Sequence, residues 1–328
     1  RGALETEGKT AALTTPDRGL ARRVAAELQR WNLVVDDSGG RPLAQTQPGA
    51  FLRLTARAVA EDLAPVPLLA MLKHPLAAGG ERPARFRNIV RQLERLILRG
   101  PRPQPGIAGL AAAIAEAQAE PREGSPQANL AEQWRRLSRL VAALEDIIEP
   151  FTALFRAGSA SVGHLIAAHV AMAERLAASD DMDGAERLWR GEAGEAAAAF
   201  VAELSSAADA FPEIRAGAYP AFLDALLAER VVRPRYGSHP RLAIWGLLES
   251  RLQRADVMIL GSLNEGTWPP KIEGGPWMSR PMMTAFGLPL PERRIGLAAH
   301  DFTQAFAAPE VVLTRARRVE GTPTVESR

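Results

Sequence analysis

The chain has 328 residues, 47% hydrophobic and 24% charged, the balance of an ordinary globular protein with enough apolar material for a core. It holds no cysteine, which excludes disulfides, thiolate metal sites and cysteine nucleophiles from these residues. No run nears the ~20 consecutive apolar residues of a membrane-spanning helix. The net charge of +2 hides an uneven spread: residues 1–109 carry 17 basic and 10 acidic side chains, residues 110–229 carry 9 and 19, and residues 230–328 carry 14 and 9. Two basic ends flanking an acidic middle suit a polyanionic partner, because neutralising phosphates releases counterions. An arginine-rich composition of the GC-rich-genome kind gives the same pattern without any such partner. Arg1 is followed by no basic-then-apolar leader, and the expectation is an internal piece of a longer cytoplasmic protein.

In chain order, Thr10 to Thr15 reads as a short buried strand. Pro16 and Asp17 open a helix to about Trp31, Pro being tolerated in the first turn and Asp suiting the positive helix end. Leu20, Val24 and Leu28 share one face of it. Asn32 to Val35 reads as a second strand and Asp36 to Gly40 as a polar turn, which makes a β-α-β unit, the building block of a parallel sheet.

From about residue 48 to 229 the pattern is helical. Helices are expected at 51–63, 67–73 and 83–98, the last with Phe86, Val90, Leu93 and Ile97 on one face. Others are expected at 106–119, 130–148, 161–178, 184–208 and 218–229, with loops at 99–105 and 120–126. Strand signals return at 242–245, 256–261 and 310–314. The expected fold class is therefore α/β with a large all-α insertion: a sheet domain over 1–47 and 230–328, interrupted by a helical domain over 48–229.

Several motifs invite a chemical reading that their context denies. Gly8-Lys9-Thr10 resembles the end of a phosphate-binding loop, but Gly2 is one residue too far upstream and a strand, not a helix, follows. Asp180-Asp181-Met182-Asp183-Gly184 lacks the alternating oxygen ligands of a calcium loop. The five histidines are scattered, so neither a metal site nor a catalytic residue is expected. Arg87, Arg91 and Arg95 repeat every four residues along one helix face. They could track a phosphate backbone, line a solvated face, or form ion pairs with the acidic middle of the chain.

The most specific stretch is Leu260-Gly261-Ser262-Leu263-Asn264-Glu265-Gly266-Thr267-Trp268-Pro269. It leaves the carboxyl end of a strand, the place where α/β sheets put function. Here the chain resembles the second motor domain of superfamily-1 helicases of the UvrD, PcrA and RecB kind, which carry Gly-Leu-x-Glu-Gly-x-Phe-Pro after a strand. Gly261, Leu263, Glu265, Gly266 and Pro269 match, with Trp268 for the Phe. The segments Ala11–Leu28, Leu72–Leu76, Leu242–Glu249 and Pro291–Leu297 bring the resemblance closest to the alphaproteobacterial-type AddB family, over nearly the whole chain. It implies a RecA-like domain of the 2A kind with a 2B-like helical insertion.

The departures from that family are as informative. Active members follow the strand at 242–245 with a Thr-His-x-x-Lys-Gly-like segment. Here Gly246 to Leu252 replaces it, with Arg251 standing for the Lys as a DNA contact. Thr15 lies where the family has an Arg, and Arg18 is displaced. Anchored on Glu292-Arg293-Arg294, the arginine finger falls at Phe302, after Asp301; Arg315 is a decoy. A finger stabilises phosphoryl-transfer charge and is worth orders of magnitude in rate, so degraded motor chemistry is expected. The resemblance implies DNA and the AddA motor subunit as partners, no membrane, and a role in recombinational end processing. It implies ATP, Mg²⁺ and an iron–sulfur cluster for the parent protein and no cofactor in this piece. An active motor half lacking its first domain, or a protein-docking scaffold, are the alternatives.

Overall fold

In a computed structural model, the structure describes residues 2–119, 127–233, 239–272 and 277–328. The chain divides into two compact units, Arg1–Gly40 with Arg233–Arg328, and Arg41–Val232. The expected loop at 120–126 lies outside the described residues.

The sheet unit opens with β1 (Ala11–Thr14), α1 (Arg18–Gln29) and β2 (Asp36–Asp37). The helical unit follows with α2 (Gln47–Ala60), α3 (Pro65–Leu72), α4 (Pro83–Leu93), α5 (Gly106–Ala119), α6 (Gln127–Ala157), α7 (Val162–Ala177), α8 (Gly191–Ser206) and α9 (Tyr219–Glu229). The sheet unit then resumes with β3 (Leu242–Trp245), β4 (Val257–Leu260), α10 (Arg293–Phe306) and β5 (Glu310–Leu313).

The five strands form one parallel sheet in the order β2-β3-β1-β4-β5. β1 is central, with Ala11 paired to Leu242 on one side and to Val257 on the other. Successive side chains of a strand point to opposite faces. Ala12 accordingly joins Met258, Leu260, Trp268, Ala298 and Ala305 on one face. Leu13 joins Ala21, Val35 and Ile244 on the other. With α1 on the Leu13 face and α10 on the Ala12 face, both sides of the sheet are covered, as an all-parallel sheet requires. The amino ends of β1 and β4 are clasped by Asp256, whose Oδ2 accepts from the Thr10 backbone N–H at 2.8 Å and the Thr10 hydroxyl at 2.7 Å. Lys9 pairs with Glu310 at 2.7 Å. The Gly-Lys-Thr run is thus part of this clasp.

Three expectations need correction here. Asn32 to Val35 does not form a strand; Asn32 has a φ of +57° in a turn, and the ladder contact shifts to Asp36 and Asp37, which pair with Ala243 and Ile244. Val35 is buried by packing rather than by pairing. The helix expected over 184–208 is broken into Gly184–Leu188 and α8, because Gly191 adopts a φ of +71°. The helix expected over 83–98 ends in a wider turn, of the i→i+5 kind, at Glu94–Leu98.

In the helical unit, Phe51, Phe86, Leu93, Leu137, Phe151, Leu165 and Tyr219 belong to one continuous core. His169 of α7 is buried among them, stacked on Phe151 with ring centroids 5.0 Å apart. Thr46 caps α2 by accepting from the Gly49 N–H at 3.3 Å. Short antiparallel pairs join 41–42 to 231–232 and 159–160 to 214–215. Among the described residues no helix is long and apolar enough to cross a membrane.

Candidate functional site

In the sheet unit, the chain passes from one side of β1 to the other between β3 and β4. The loops leaving β1 and β4 therefore meet at the carboxyl edge, where open α/β sheets bind ligands. They are tied to each other. Thr15, fully buried, donates its hydroxyl to the Gly261 carbonyl at 3.0 Å and accepts from the Asp17 N–H at 3.1 Å. Asp17 caps α1, its Oδ1 accepting from Gly19 N–H and Leu20 N–H at 2.8 and 3.0 Å. Its Oδ2 accepts from the Ser262 hydroxyl at 2.9 Å. Burial alone raises the Asp17 pKa, but the bonds from Leu20, Ser262 and Gly19, with the charge of Arg23, hold it below the usual carboxylate range. Space at Gly261 is tight: a Cβ there would stand 2.8 Å from Leu20 Cδ2 and 2.9 Å from Leu13 Cδ1, so these leucine ends would have to shift.

The motif loop after β4 is equally enclosed by its own chain. Leu263 N–H donates to the Thr314 carbonyl and Glu265 N–H to the Val325 carbonyl, both at 3.0 Å. Asn264 is buried and donates from Nδ2 to the Ala316 carbonyl at 2.7 Å and to Thr324 Oγ1 at 3.0 Å, while its Oδ1 accepts from Ala316 N–H at 3.0 Å. Asn264 thus pins the segment after β5 to the loop. Gly266 turns the chain with a φ of +76°. Trp268, 2% exposed, donates from Nε1 to the Ala298 carbonyl at 3.3 Å and meets Phe302 edge to face at 6.0 Å. The Trp268–Pro269 peptide is cis.

The positions compared above with motor residues are engaged inside the fold. Arg251 makes a two-pronged pair with Asp301, Nε to Oδ1 at 2.7 Å and Nη2 to Oδ2 at 3.2 Å. Asp301 is buried and Arg251 one-third exposed. The Asp301 hydrogen bonds raise the Arg251 pKa further above its ordinary value. Phe302 packs between Trp268 and Phe306. Arg315, beyond the end of β5, pairs with Glu326 at 3.3 Å. Arg18 pairs with Asp37 at 2.6 Å.

In the helical unit, α4 buries Phe86, Ile89, Val90 and Leu93. Arg87, Arg91 and Arg95 are exposed. Arg91 donates to Asn88 Oδ1 at 3.1 Å. Arg87 and Arg95 have no hydrogen bond or ion pair among the described residues. The acidic partners nearby are local: Arg85 meets Glu81 at 3.4 Å, and Glu94 takes both Lys73 at 2.6 Å and Arg99 at 3.2 Å. The wider turn brings Arg99 over Glu94, its N–H donating to the Glu94 carbonyl five residues back. Lys73 first and then Arg99 hold the Glu94 carboxyl low. The stripe is therefore a solvent-facing row of cations, and its arginines form no ion pairs with the described residues of 110–229.

No protein-family model matches the chain, and no curated protein is found to be similar to it. Sequence reasoning missed Ser262 and Asp301, because the partners that give them a role lie 245 and 50 residues away. It also missed the joint at His169, where Nε2 lies 2.8 Å from Thr55 Oγ1 and Nδ1 lies 3.0 Å from the Tyr219 hydroxyl. Among the described residues no three His, Cys, Asp or Glu side chains are grouped to hold a metal ion.

Proposed function

We propose that this chain is a helicase-shaped piece of an AddB-type subunit of a double-strand-break repair helicase–nuclease, with a RecA-like 2A-type sheet unit and a 2B-like helical unit. It binds and guides DNA and docks a motor subunit of the AddA kind, without hydrolysing ATP itself. The observation that carries the reading is the Arg251–Asp301 pair beside Phe302. Arg251, Asp301 and Phe302, at positions compared with motor residues, close on one another and on the Trp268 core, which supports a retained fold without motor chemistry. The fold-level comparison is an analogy and carries no activity by itself.

DNA contact is assigned to Arg87, Arg91 and Arg95, which are exposed and form no ion pair among the described residues, the nearby Glu94 being taken by Lys73 and Arg99. Contacts of this kind position a backbone and confer no sequence preference. A fluorescent duplex with a single-stranded tail, titrated with the chain against salt, tests the assignment. Three counterions released from duplex predict a contribution of about −2.7 to the log–log salt slope. Replacing all three arginines with Glu is expected to abolish binding; unchanged affinity at low salt refutes the assignment. Hydrolysis of ATP by the full-length parent in the absence of its motor partner would refute the non-motor reading.

Docking is assigned to the sheet unit, where Trp277 is 88% and Phe286 73% exposed, with Phe306, Val319 and Val325 each more than half exposed. The number of large apolar side chains left exposed between residues 277 and 325 is the reason for placing a contact surface in this part of the chain. Co-elution with an AddA-type subunit, lost in Trp277→Glu with Phe286→Glu, is the expected result.

A further inference from the structure

A polar cleft in the helical unit, at the start of α4, does not include Arg87, Arg91 or Arg95 and is not used in the function proposed above. It has a volume of about 700 Å³ and is walled by Gln47, Leu76, the start of α4, and the segment 179–190. Its walls are fixed by hydrogen bonds. Ala78 and Gly79 N–H donate to the Leu176 carbonyl at 2.9 and 2.8 Å, and Gly80 N–H donates to the Ala178 carbonyl at 2.7 Å. Ser179 N–H closes the opposite turn on the Met182 carbonyl at 3.0 Å. Gly184 lets the backbone sit against Glu174, where a Cβ would meet the Glu174 carbonyl oxygen at 1.7 Å.

Three guanidinium groups line this cleft: Arg82, Arg187 and Arg190. Arg187 is partly buried and donates from Nη1 to the Ala177 carbonyl. Burial lowers its pKa, and the charge of Asp181 opposes that only in part. The side chains of Arg82 and Arg190 have no hydrogen bond or ion pair among the described residues. Two carboxylates also line the cleft, Asp180 and Asp181. Both are exposed, and Asp181 accepts from the Ser179 hydroxyl at 2.7 Å. Neither lies within ion-pair distance of the three arginines. The cations outnumber the anions, and the guanidinium groups of Arg82 and Arg190 have no protein acceptor among the described residues.

We infer that this cleft is a binding site for a phosphate monoester, held by Arg82, Arg187 and Arg190. Planar guanidinium forks match phosphate oxygens in pairs. A dianion with three terminal oxygens can engage three forks together, whereas a mid-strand diester offers only two free oxygens. The source is either a DNA end or a small free phosphate, and the experiment separates them.

The probes are inorganic phosphate, with chloride at matched ionic strength, and one oligonucleotide prepared with a 5′-phosphate or a 5′-hydroxyl. The protein is the full chain, compared with Arg82→Gln/Arg190→Gln; both positions are exposed, so the fold is kept. A bound dianion stabilises the folded chain by mass action. Phosphate is expected to raise the thermal midpoint where chloride does not, and the double variant is expected to lose that response. A phosphorylated end binding about tenfold tighter than the hydroxyl end, through charge-assisted bonds, assigns the source to DNA ends. Equal binding of the two ends, with the inorganic phosphate response intact, assigns it to a free phosphate. No response to phosphate and no difference between ends overturns the site. So does a response that survives in the double variant. Because inorganic phosphate is read without DNA, a failed arginine stripe and a failed cleft give different results.

Discussion

The joint at His169 gives the helical unit a calculable response to acid. His169 is fully buried, and its two ring nitrogens face uncharged hydroxyls, Thr55 at 2.8 Å and Tyr219 at 3.0 Å. Thr55 Oγ1 lies 2.9 Å from the carbonyls of both Phe51 and Leu52. Its hydrogen goes to one of these carbonyls, so Oγ1 accepts from His169 Nε2–H. Nδ1 then accepts from the Tyr219 hydroxyl. Every donor and acceptor is satisfied only while the imidazole is neutral. Protonation would place a second N–H against the Tyr219 hydrogen and leave a charge with no counterion.

Burial accordingly pushes the His169 pKa down to about 3, with the Leu52 carbonyl opposing slightly. A base whose folded pKa lies below its unfolded pKa stabilises the fold fully above the unfolded value. That stability is lost as pH falls from there toward the folded pKa. At about pH 5, roughly 1.5 units below the unfolded value, the loss is about 2 kcal/mol. The assay is the urea midpoint of the chain by circular dichroism between about pH 7 and pH 5, above the range where most carboxylates titrate. His169→Gln removes the titrating group and should flatten the pH dependence by about this amount, whatever its effect on absolute stability. His74, half-buried and pushed down to about 4 by burial, remains in both proteins and cancels. Parallel curves for the two proteins would refute the neutral, directed network.

Asp17→Ala removes the α1 cap and the Ser262 contact together, and is expected to cost about 1 kcal/mol or somewhat more, read as a lower urea midpoint. Gly261→Ala forces a methyl group against Leu13 and Leu20 and should cost about 1–3 kcal/mol by overpacking; a neutral result would mean that the β1 and β4 loops part easily. Arg251→Gln strands the buried Asp301 carboxylate, whereas Asp301→Asn leaves Arg251 able to reach solvent. The first should therefore lower the midpoint more than the second, and the reverse order would refute the pairing.

The central sheet is legible in the sequence because β1, β3, β4 and β5 are short apolar runs bounded by turn residues. β2 is not, because it consists of two aspartates whose strand character comes only from Ala243 and Ile244 beside them. Most helices of the helical unit show the 3.6-residue periodicity. The break at Gly191 does not, because a left-handed glycine reads the same as any other. α10 is hidden as well: its buried face is Ala298, Asp301 and Ala305, too small and too polar to register as an apolar stripe. The arginine stripe is visible as spacing, but its freedom from acidic partners depends on where Glu81, Glu94 and residues 110–229 fold. Asp301 has no local signal at all, since its meaning is the guanidinium 50 residues upstream.

These hidden contacts share a direction. At the carboxyl edge of the sheet, Thr15, Asp17, Ser262 and Asn264 all turn their polar atoms inward, onto one another and onto the segment after β5. A catalytic edge needs the opposite, with donors and acceptors left unsatisfied toward solvent until a ligand completes them. An edge that satisfies itself gains rigidity and gives up that reserve. In the helical unit, guanidinium groups without an acceptor among the described residues lie on Arg87 of α4, on Arg95 in the wider turn after it, and on Arg82 and Arg190 in the cleft, where Arg187 keeps only its bond to the Ala177 carbonyl. An external anion gains most where a guanidinium group has no protein acceptor, and this is why the proposed contacts fall on these arginines.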